Sequence, residues 1–310
     1  MQKKVLITGV NGFVGEHVAR EFNSRGYKVV GLGHDDVAHS KVLELLESYI
    51  KCNLLNETDV KSKLDQTNIS AVIHLAGLAN VGESFDQPER YMTANGIMTH
   101  NVLSKVMSDS SKARVVVVST GALYNPSQPL PLTELSKTFS NSPYAVGKLM
   151  CEDVVEYYRG RGLDAITVRP FNHIGPGQLP GFILPDLYDQ IIDAKNTGKI
   201  SIGNLETKRD YTDVRDIARA YADLALAQTL EYPLYNVCSG KSLSGKEILE
   251  TLQISMNVQA IEVLVDQQKI RPNDIADIRG DSTRIHQELG WKPEIGIQQT
   301  IEDFVESKTS

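Results

Sequence analysis

The 310-residue chain contains no long apolar run. The longest aliphatic runs are of four residues, as in the valines at 115–118, and fall far short of the roughly 20 residues that a membrane-spanning helix needs. Lys3 and Lys4 precede only a short apolar stretch at 5–7, with no small-residue cleavage site, so the amino terminus is expected to be structural. Excess positive charge is also missing: 32 Lys+Arg stand against 39 Asp+Glu, a net charge of −7 with a pI near 5.6. Neither nucleic acid nor a membrane surface is therefore an expected partner. Cysteine is sparse. Cys52, Cys151 and Cys238 are odd in number and lack C-x-x-C spacing, which argues against a zinc site, supports a reducing compartment and leads us to expect a cytoplasmic protein. Seven histidines include no i, i+4 pair with a supporting carboxylate, so no metal is expected. Repeats and low-complexity segments are missing as well. With 41% hydrophobic and 23% charged residues, the composition is that of a folded globular protein rather than a disordered or fibrous one.

What is present is alternation. Short β-branched runs at 4–8, 28–32, 49–52, 71–75, 114–119 and 165–169 are separated by helical stretches, which predicts stacked βαβ units and a doubly wound parallel sheet. From Pro170 the texture changes. Pro170, Gly175, Pro176, Gly177, Pro180, Gly181 and Pro185 crowd one irregular segment, and beyond it a strand at 199–202, a helix at 213–227, a strand at 235–237 and a helix from Ser244 predict a smaller α/β lobe. The expected division is a dinucleotide-binding domain over 1–170 and a substrate lobe over 171–310, with part of 210–238 returning to the first.

Thr8-Gly9-Val10-Asn11-Gly12-Phe13-Val14-Gly15 follows the first strand and opens a helix. Gly9 permits the tight turn, Gly12 lets backbone approach a pyrophosphate, and Gly15 seats the helix on the sheet, with the helix amino terminus facing the negative charge. This is a dinucleotide-binding turn, with Asn11, Phe13 and Val14 among its contacts. An NAD site usually carries an acid at the tip of the second strand. Here the tip reads Gly31-Leu32-Gly33-His34-Asp35, with no carboxylate at Gly33 and with His34 able to approach a 2′-phosphate, so NADP(H) is favoured; NAD(H) remains open through Asp35 or Asp36.

Ser142-Pro143 is a helix-start pair that puts Tyr144 and Lys148 one turn apart on one face. An ammonium beside a phenol favours the phenolate and lets it exchange protons nearer neutral pH. Ser119 and Thr120 end the fifth strand at its carboxyl edge, where ligands bind in open α/β sheets.

Together with His74-Leu75-Ala76-Gly77, Asn95, Arg169-Pro170-Phe171-Asn172, Arg209-Asp210-Tyr211-Thr212-Asp213-Val214 and Leu289-Gly290-Trp291-Lys292-Pro293, these motifs resemble the extended short-chain dehydrogenase/reductases that act on nucleotide sugars. The resemblance covers nearly the whole chain. It implies Thr120, four residues before Tyr124, as the catalytic hydroxyl, Tyr144 as general acid or base, and Lys148 as its partner and a ligand of the nicotinamide ribose. Asn53, Leu54, Leu75, Ala76 and Gly77 would line the rest of the cofactor site, and Asn172, Arg209 and Arg271 the sugar and diphosphate. Such enzymes use the helices near 93–107 and 144–158 as a dimer interface, so a homodimer is expected. Within the family, the segments at 169–178, 235–240 and 290–294 look most like reductases of GDP-4-keto-6-deoxy-D-mannose that form GDP-D-rhamnose. A talose-forming reductase or a 4-epimerase with tightly held NAD is the alternative. The related 4,6-dehydratases carry Thr-Asp-Glu or Thr-Ser-Glu at the strand end, whereas Thr120 is followed by Gly121 and Ala122. Gly147 stands where Ala or Ser is frequent, a departure that reads as tolerable.

Overall fold

The computed structural model describes residues 3–64, 69–109, 111–194, 198–258, 261–266 and 275–309. Six short strands rich in Val, Ile and Leu alternate with helices: β1 (Lys4–Thr8), α1 (Phe13–Ser24), β2 (Lys28–Gly33), α2 (Ser40–Leu43), β3 (Ser48–Lys51), α3 (Glu57–Lys63), β4 (Ile69–His74), α4 (Val81–Asp86), α5 (Pro88–Ser108), β5 (Arg114–Val118), α6 (Pro143–Arg159) and β6 (Ala165–Pro170). All pair in parallel, and, apart from the edge strand β3, nearly all their apolar side chains are buried on both faces, as a sheet covered by helices on each side requires.

The chain continues through β7 (Asn172–Ile174), α7 (Ile183–Ala194), β8 (Lys199–Ile202), β9 (Lys208–Asp213), α8 (Val214–Leu226) and β10 (Leu234–Val237). It then runs through β11 (Ser242–Ser244), α9 (Gly245–Ser255), β12 (Glu262–Val265), β13 (Asp277–Ile278), α10 (Thr283–Leu289) and α11 (Ile297–Thr309). The large sheet has seven strands in the order β10-β6-β5-β4-β1-β2-β3, so the winding reverses between β1 and β4. That reversal opens the crevice in which doubly wound folds bind their ligands. One apolar core joins the sheet to α1 and α8 around Phe22, Tyr221 and Trp291, and another joins its opposite face to α5 and α6 around Leu103, Val106 and Val155. A third, around Leu187, Ile248 and Phe304, fills the smaller lobe of α7, α9 and α11, beside the short ladders that β9 makes with β7, β11 and β13.

The caps follow the sequence. Ser142 accepts from the Ala145 N–H and Pro143 sits in the first turn of α6, while α9 opens with a Ser244/Glu247 capping box. Where α5 crosses α6, a Cβ on Gly147 would lie 2.1 Å from the Tyr91 carbonyl oxygen. Gly147 is therefore a steric requirement of the helix contact rather than a tolerable variation. Among the described residues, no helix is long and apolar enough to cross a membrane.

Candidate active site

The glycine turn is held from behind. Gly9 has φ +70°, and a Cβ there would meet backbone atoms of Ala76 at 2.9 Å, so only glycine lets β1 turn this tightly against the tip of β4. Thr8 Oγ1 accepts from the Ala76 N–H at 3.2 Å and lies 2.8 Å from His74 Nδ1, with Thr99 on the other ring nitrogen at 3.2 Å. Helix α1 starts at Gly12 with no side-chain cap. Its first-turn N–H groups, at Phe13 and Val14, are left for a ligand, and the positive end of the helix dipole favours an anionic one. A nicotinamide dinucleotide pyrophosphate fits this cradle.

At the ribose end, Asn11 spans the turn. Its Nδ2 donates to Asp35 at 2.7 Å and its Oδ1 accepts from the His39 N–H at 3.0 Å. The Asp35 carboxylate thus lies against the glycine turn, although it follows the strand tip by two residues. Gly33 faces the Tyr49 hydroxyl, 2.5 Å from where its Cβ would be, so an acid at Gly33 would have to displace that ring. His34 is 87% exposed and flanks Asp35 at 3.3 Å. Asn53 sits beyond β3, its Oδ1 accepting from the Leu55 N–H, and the Leu54 carbonyl accepts from Asn101. Leu75 and Gly77 flank Ala76 in the β4 tip, and Asn95 clamps the following residue through both hydrogen bonds of its amide to Leu78.

Lys148 is buried, and its Nζ donates to the Val118 carbonyl at 2.8 Å. The same Nζ is 3.5 Å from the Cβ position on Gly77, which brings the α6 lysine, the β4 tip and the end of β5 to one place. Tyr144 precedes Lys148 by one turn and is 7% exposed. Thr120 follows Val118 by two residues and starts the short 3-10 turn Gly121–Leu123, its Oγ1 accepting from the Ala122 N–H at 3.1 Å. With its oxygen so engaged, the Thr120 hydroxyl keeps its hydrogen for a ligand oxygen. Ser119 is unavailable for that purpose, since it is 3% exposed and donates to Glu152. Burial pushes the Tyr124 phenol up to about 12, keeping it a neutral donor to Asn236 at 2.6 Å.

The substrate-side residues are more scattered. Asn172 opens β7 and is exposed. Arg209, on β9, donates through Nη1 to the carbonyls of Lys208 and Ile275, both at 2.8 Å. Arg271 lies outside the described residues. His173, in the middle of β7, is stacked on Phe13 of the glycine turn, with centroids 6.1 Å apart and planes at 12°, while His17 meets the Pro176 carbonyl at 2.9 Å. Sequence reasoning did not find Glu152 or its bond to Arg169; the available signal was its spacing, four residues after Lys148 on the same helix face.

Residues 6–304 match the family described as GDP-mannose 4,6 dehydratase. A GDP-6-deoxy-D-mannose reductase of Pseudomonas aeruginosa is 32% identical over 307 residues, covering 97% of this chain and 95% of that one. A UDP-glucose 4-epimerase of Pisum sativum is 24% identical over 333 residues, covering 97% and 94%. The solved structure of RMD from Pseudomonas aeruginosa complexed with NADPH superposes with a TM-score of 0.83 at 28% identity, covering 99% of this chain and 98% of that one. The fold and these relatives define a nicotinamide-dependent, nucleotide-sugar enzyme of the extended short-chain dehydrogenase/reductase class. Within that class, the chain belongs to the GDP-mannose 4,6-dehydratase family.

Proposed function

We propose that the protein reduces C4 of a nucleotide-linked 4-keto-6-deoxy sugar, GDP-4-keto-6-deoxy-D-mannose first, to give GDP-D-rhamnose. The observation that carries this reading is the strand end after Thr120. Elimination of water across C5 and C6 needs a carboxylate acid/base there, yet Gly121 and Ala122 offer none, and the Phe171 ring stands 2.9 Å from the Cβ position of Gly121. Reduction needs less. A reduced nicotinamide, when bound, supplies the hydride to C4. Tyr144 Oη gives the proton to the C4 oxygen, Thr120 donates a hydrogen bond to that oxygen as charge develops, and Lys148 favours the phenolate that Tyr144 becomes. The 32% identical reductase supports the substrate assignment.

Cofactor choice rests on two neighbours. The exposed His34 supports the NADP(H) preference, whereas Asp35, held at the glycine turn, supports NAD(H) by accepting ribose hydroxyls and repelling a 2′-phosphate. We read the site as using both. One assay tests function and cofactor together. Pre-formed keto sugar should consume one equivalent of NADPH or NADH, GDP-mannose with oxidised cofactor should give no keto product, and Asp35→Ala should raise the NADPH-to-NADH ratio of kcat/KM by about 10-fold. Product NMR separates rhamnose from talose. Turnover without net cofactor consumption would make the protein an epimerase, and keto sugar formed from GDP-mannose would overturn the reading outright.

The same reading includes a homodimer. Helices α5 and α6 pack side by side and leave Ile97, Met150 and Tyr157 between 38% and 52% exposed along one face, an apolar stripe suited to a second copy of itself. Light scattering should give about twice the 34.2 kDa chain mass, and Met150→Glu should shift it to the monomer. A monomeric wild-type protein at micromolar concentration would remove this interface.

A further inference from the structure

The segment at 119–124, which carries Thr120, leaves the sheet after Ser119 and is next tied by backbone to another segment at its far end, where the Phe139 N–H donates to the Leu123 carbonyl at 2.7 Å. The Ser119 N–H donates to the Val168 carbonyl at 2.8 Å, and beyond it the chain enters the 3-10 turn. Tyr124 is held by its bond to Asn236, and side chains that reach Ser119 at one end and the Tyr124 ring at the other meet at one carboxylate. Glu152 lies two turns beyond Tyr144 and one beyond Lys148 on α6. It accepts from Ser119 Oγ at 2.5 Å, from Arg169 Nε at 2.9 Å and from Arg169 Nη2 at 2.6 Å. Arg169, on β6, is 5% exposed, and its guanidinium carbon sits 4.7 Å from the centroid of Tyr124. Ser119 is thus gripped on one side of Thr120 and Tyr124 on the other.

A buried ion pair is weak evidence for stability, because desolvating both charges offsets much of their attraction. Its geometry here has a clearer use. Tyr144, Lys148 and Glu152 form one row on α6, and Lys148 and Glu152 stitch that row to Val118 and Ser119, the two residues before Thr120. We propose that Glu152 is a positioning residue which, through Ser119 and the Arg169–Tyr124 contact, fixes the Thr120 hydroxyl relative to Tyr144 and Lys148. It touches no reacting atom. Its effect is on alignment, to which hydride and proton transfer are sensitive at the level of about 1 Å. The inference rests on the reading of Thr120, Tyr144 and Lys148 as the reacting side chains, but not on which sugar is reduced.

Ser119→Ala removes the stitch and leaves the Glu152–Arg169 pair intact, so it should fold with a Tm near that of the wild type. In a single-turnover experiment, the protein preloaded with reduced cofactor is mixed with saturating keto sugar. The rate constant for loss of nicotinamide absorbance reads alignment, and the amplitude reads the fraction of active sites. Ser119→Ala should lower the rate constant about 10-fold at full amplitude, with steady-state KM within about twofold of wild type. Glu152→Gln, which also unpairs Arg169, should lower it further. A Ser119→Ala protein with a wild-type rate constant, with reduced amplitude alone, or with only a raised KM would overturn the proposal. Tyr144→Phe in the same assay keeps the two readings apart. If it is inactive while Ser119→Ala is normal, only the positioning role falls; if both are normal, the reading of the reacting side chains falls with it.

Discussion

Tyr144→Phe should lower kcat by at least about 100-fold and change cofactor affinity by no more than about 3-fold, the span expected for loss of a general acid that makes no ground-state binding contribution. The structure gives the reason for the split. Lys148 is anchored to the Val118 carbonyl rather than to Tyr144, so removing the phenolic oxygen leaves the ammonium in place beside Gly77. The ring of phenylalanine fills the same 7%-exposed space, so packing is retained while the proton donor is lost. Lys148→Met, by contrast, removes the ammonium beside the β4 tip, and should weaken cofactor binding as well as turnover. Steady-state kinetics with cofactor titration checks both. Turnover near that of wild type in Tyr144→Phe would exclude Tyr144 as the proton donor.

The second large effect is on stability in mild acid. Burial, with the Lys148 charge adding to it, depresses His74 to about 3. His17 and His173 are also lowered, chiefly by burial. A histidine whose folded pKa lies below its unfolded value stabilises the fold fully above the unfolded value, near 6.5, and loses that contribution as pH falls below it. His74 alone should therefore cost roughly 3 kcal/mol between pH 7 and pH 4. Burial raises Glu134 and Asp210, which has the opposite sign: their contribution is lost as pH rises above the ordinary carboxylate values and regained as it falls, so they oppose the histidines at the acid end of this range. Denaturant unfolding at pH 7, 6 and 5 should show stability falling with pH, and His74→Asn should flatten the slope by about one proton, near 1.4 kcal/mol per pH unit. An equal slope in wild type and variant would mean that His74 takes up its proton in the folded state.

The large sheet was legible because its signal is local. Each strand from β1 to β6 is a short run of β-branched or aliphatic residues between helix and turn signals, and the observed bounds differ from the expected ones by a residue or two. The second lobe was legible only in part. Strands β7, β11 and β13 have two or three residues each, too short for periodicity, and owe their pairing to β9, far away in sequence. The motif Arg209-Asp210-Tyr211-Thr212-Asp213-Val214 read as a family signature. In the fold, Asp210 accepts from Ser239, Gly240 and Gly280, while Asp213 accepts from Thr300 and caps α8. The bonds from Ser239, Gly240, Gly280 and Thr300 cross 29 to 87 residues, a separation that no window of sequence samples. The choice between Asp35 and Asp36 stayed open in the sequence for a related reason, because it depends on an Asn11 hydrogen bond across the turn. An acid at Gly33, the strand-tip position where NAD sites usually carry one, would have to push the Tyr49 hydroxyl aside.

The strand order carries a consequence for synthesis. The edge strand β10 joins β6 after an excursion of more than 60 residues, and Arg114, at the start of β5, donates to the carbonyls of Leu224 and Ala227 at the end of α8. During translation, the six strands encoded first must wait, with the flank of β6 unpaired and the Arg114 guanidinium without those acceptors, until residue 237 has left the ribosome. At about 5–20 residues per second the interval lasts several seconds, long enough for an open strand edge to meet another nascent chain. Chaperone demand should peak in that window.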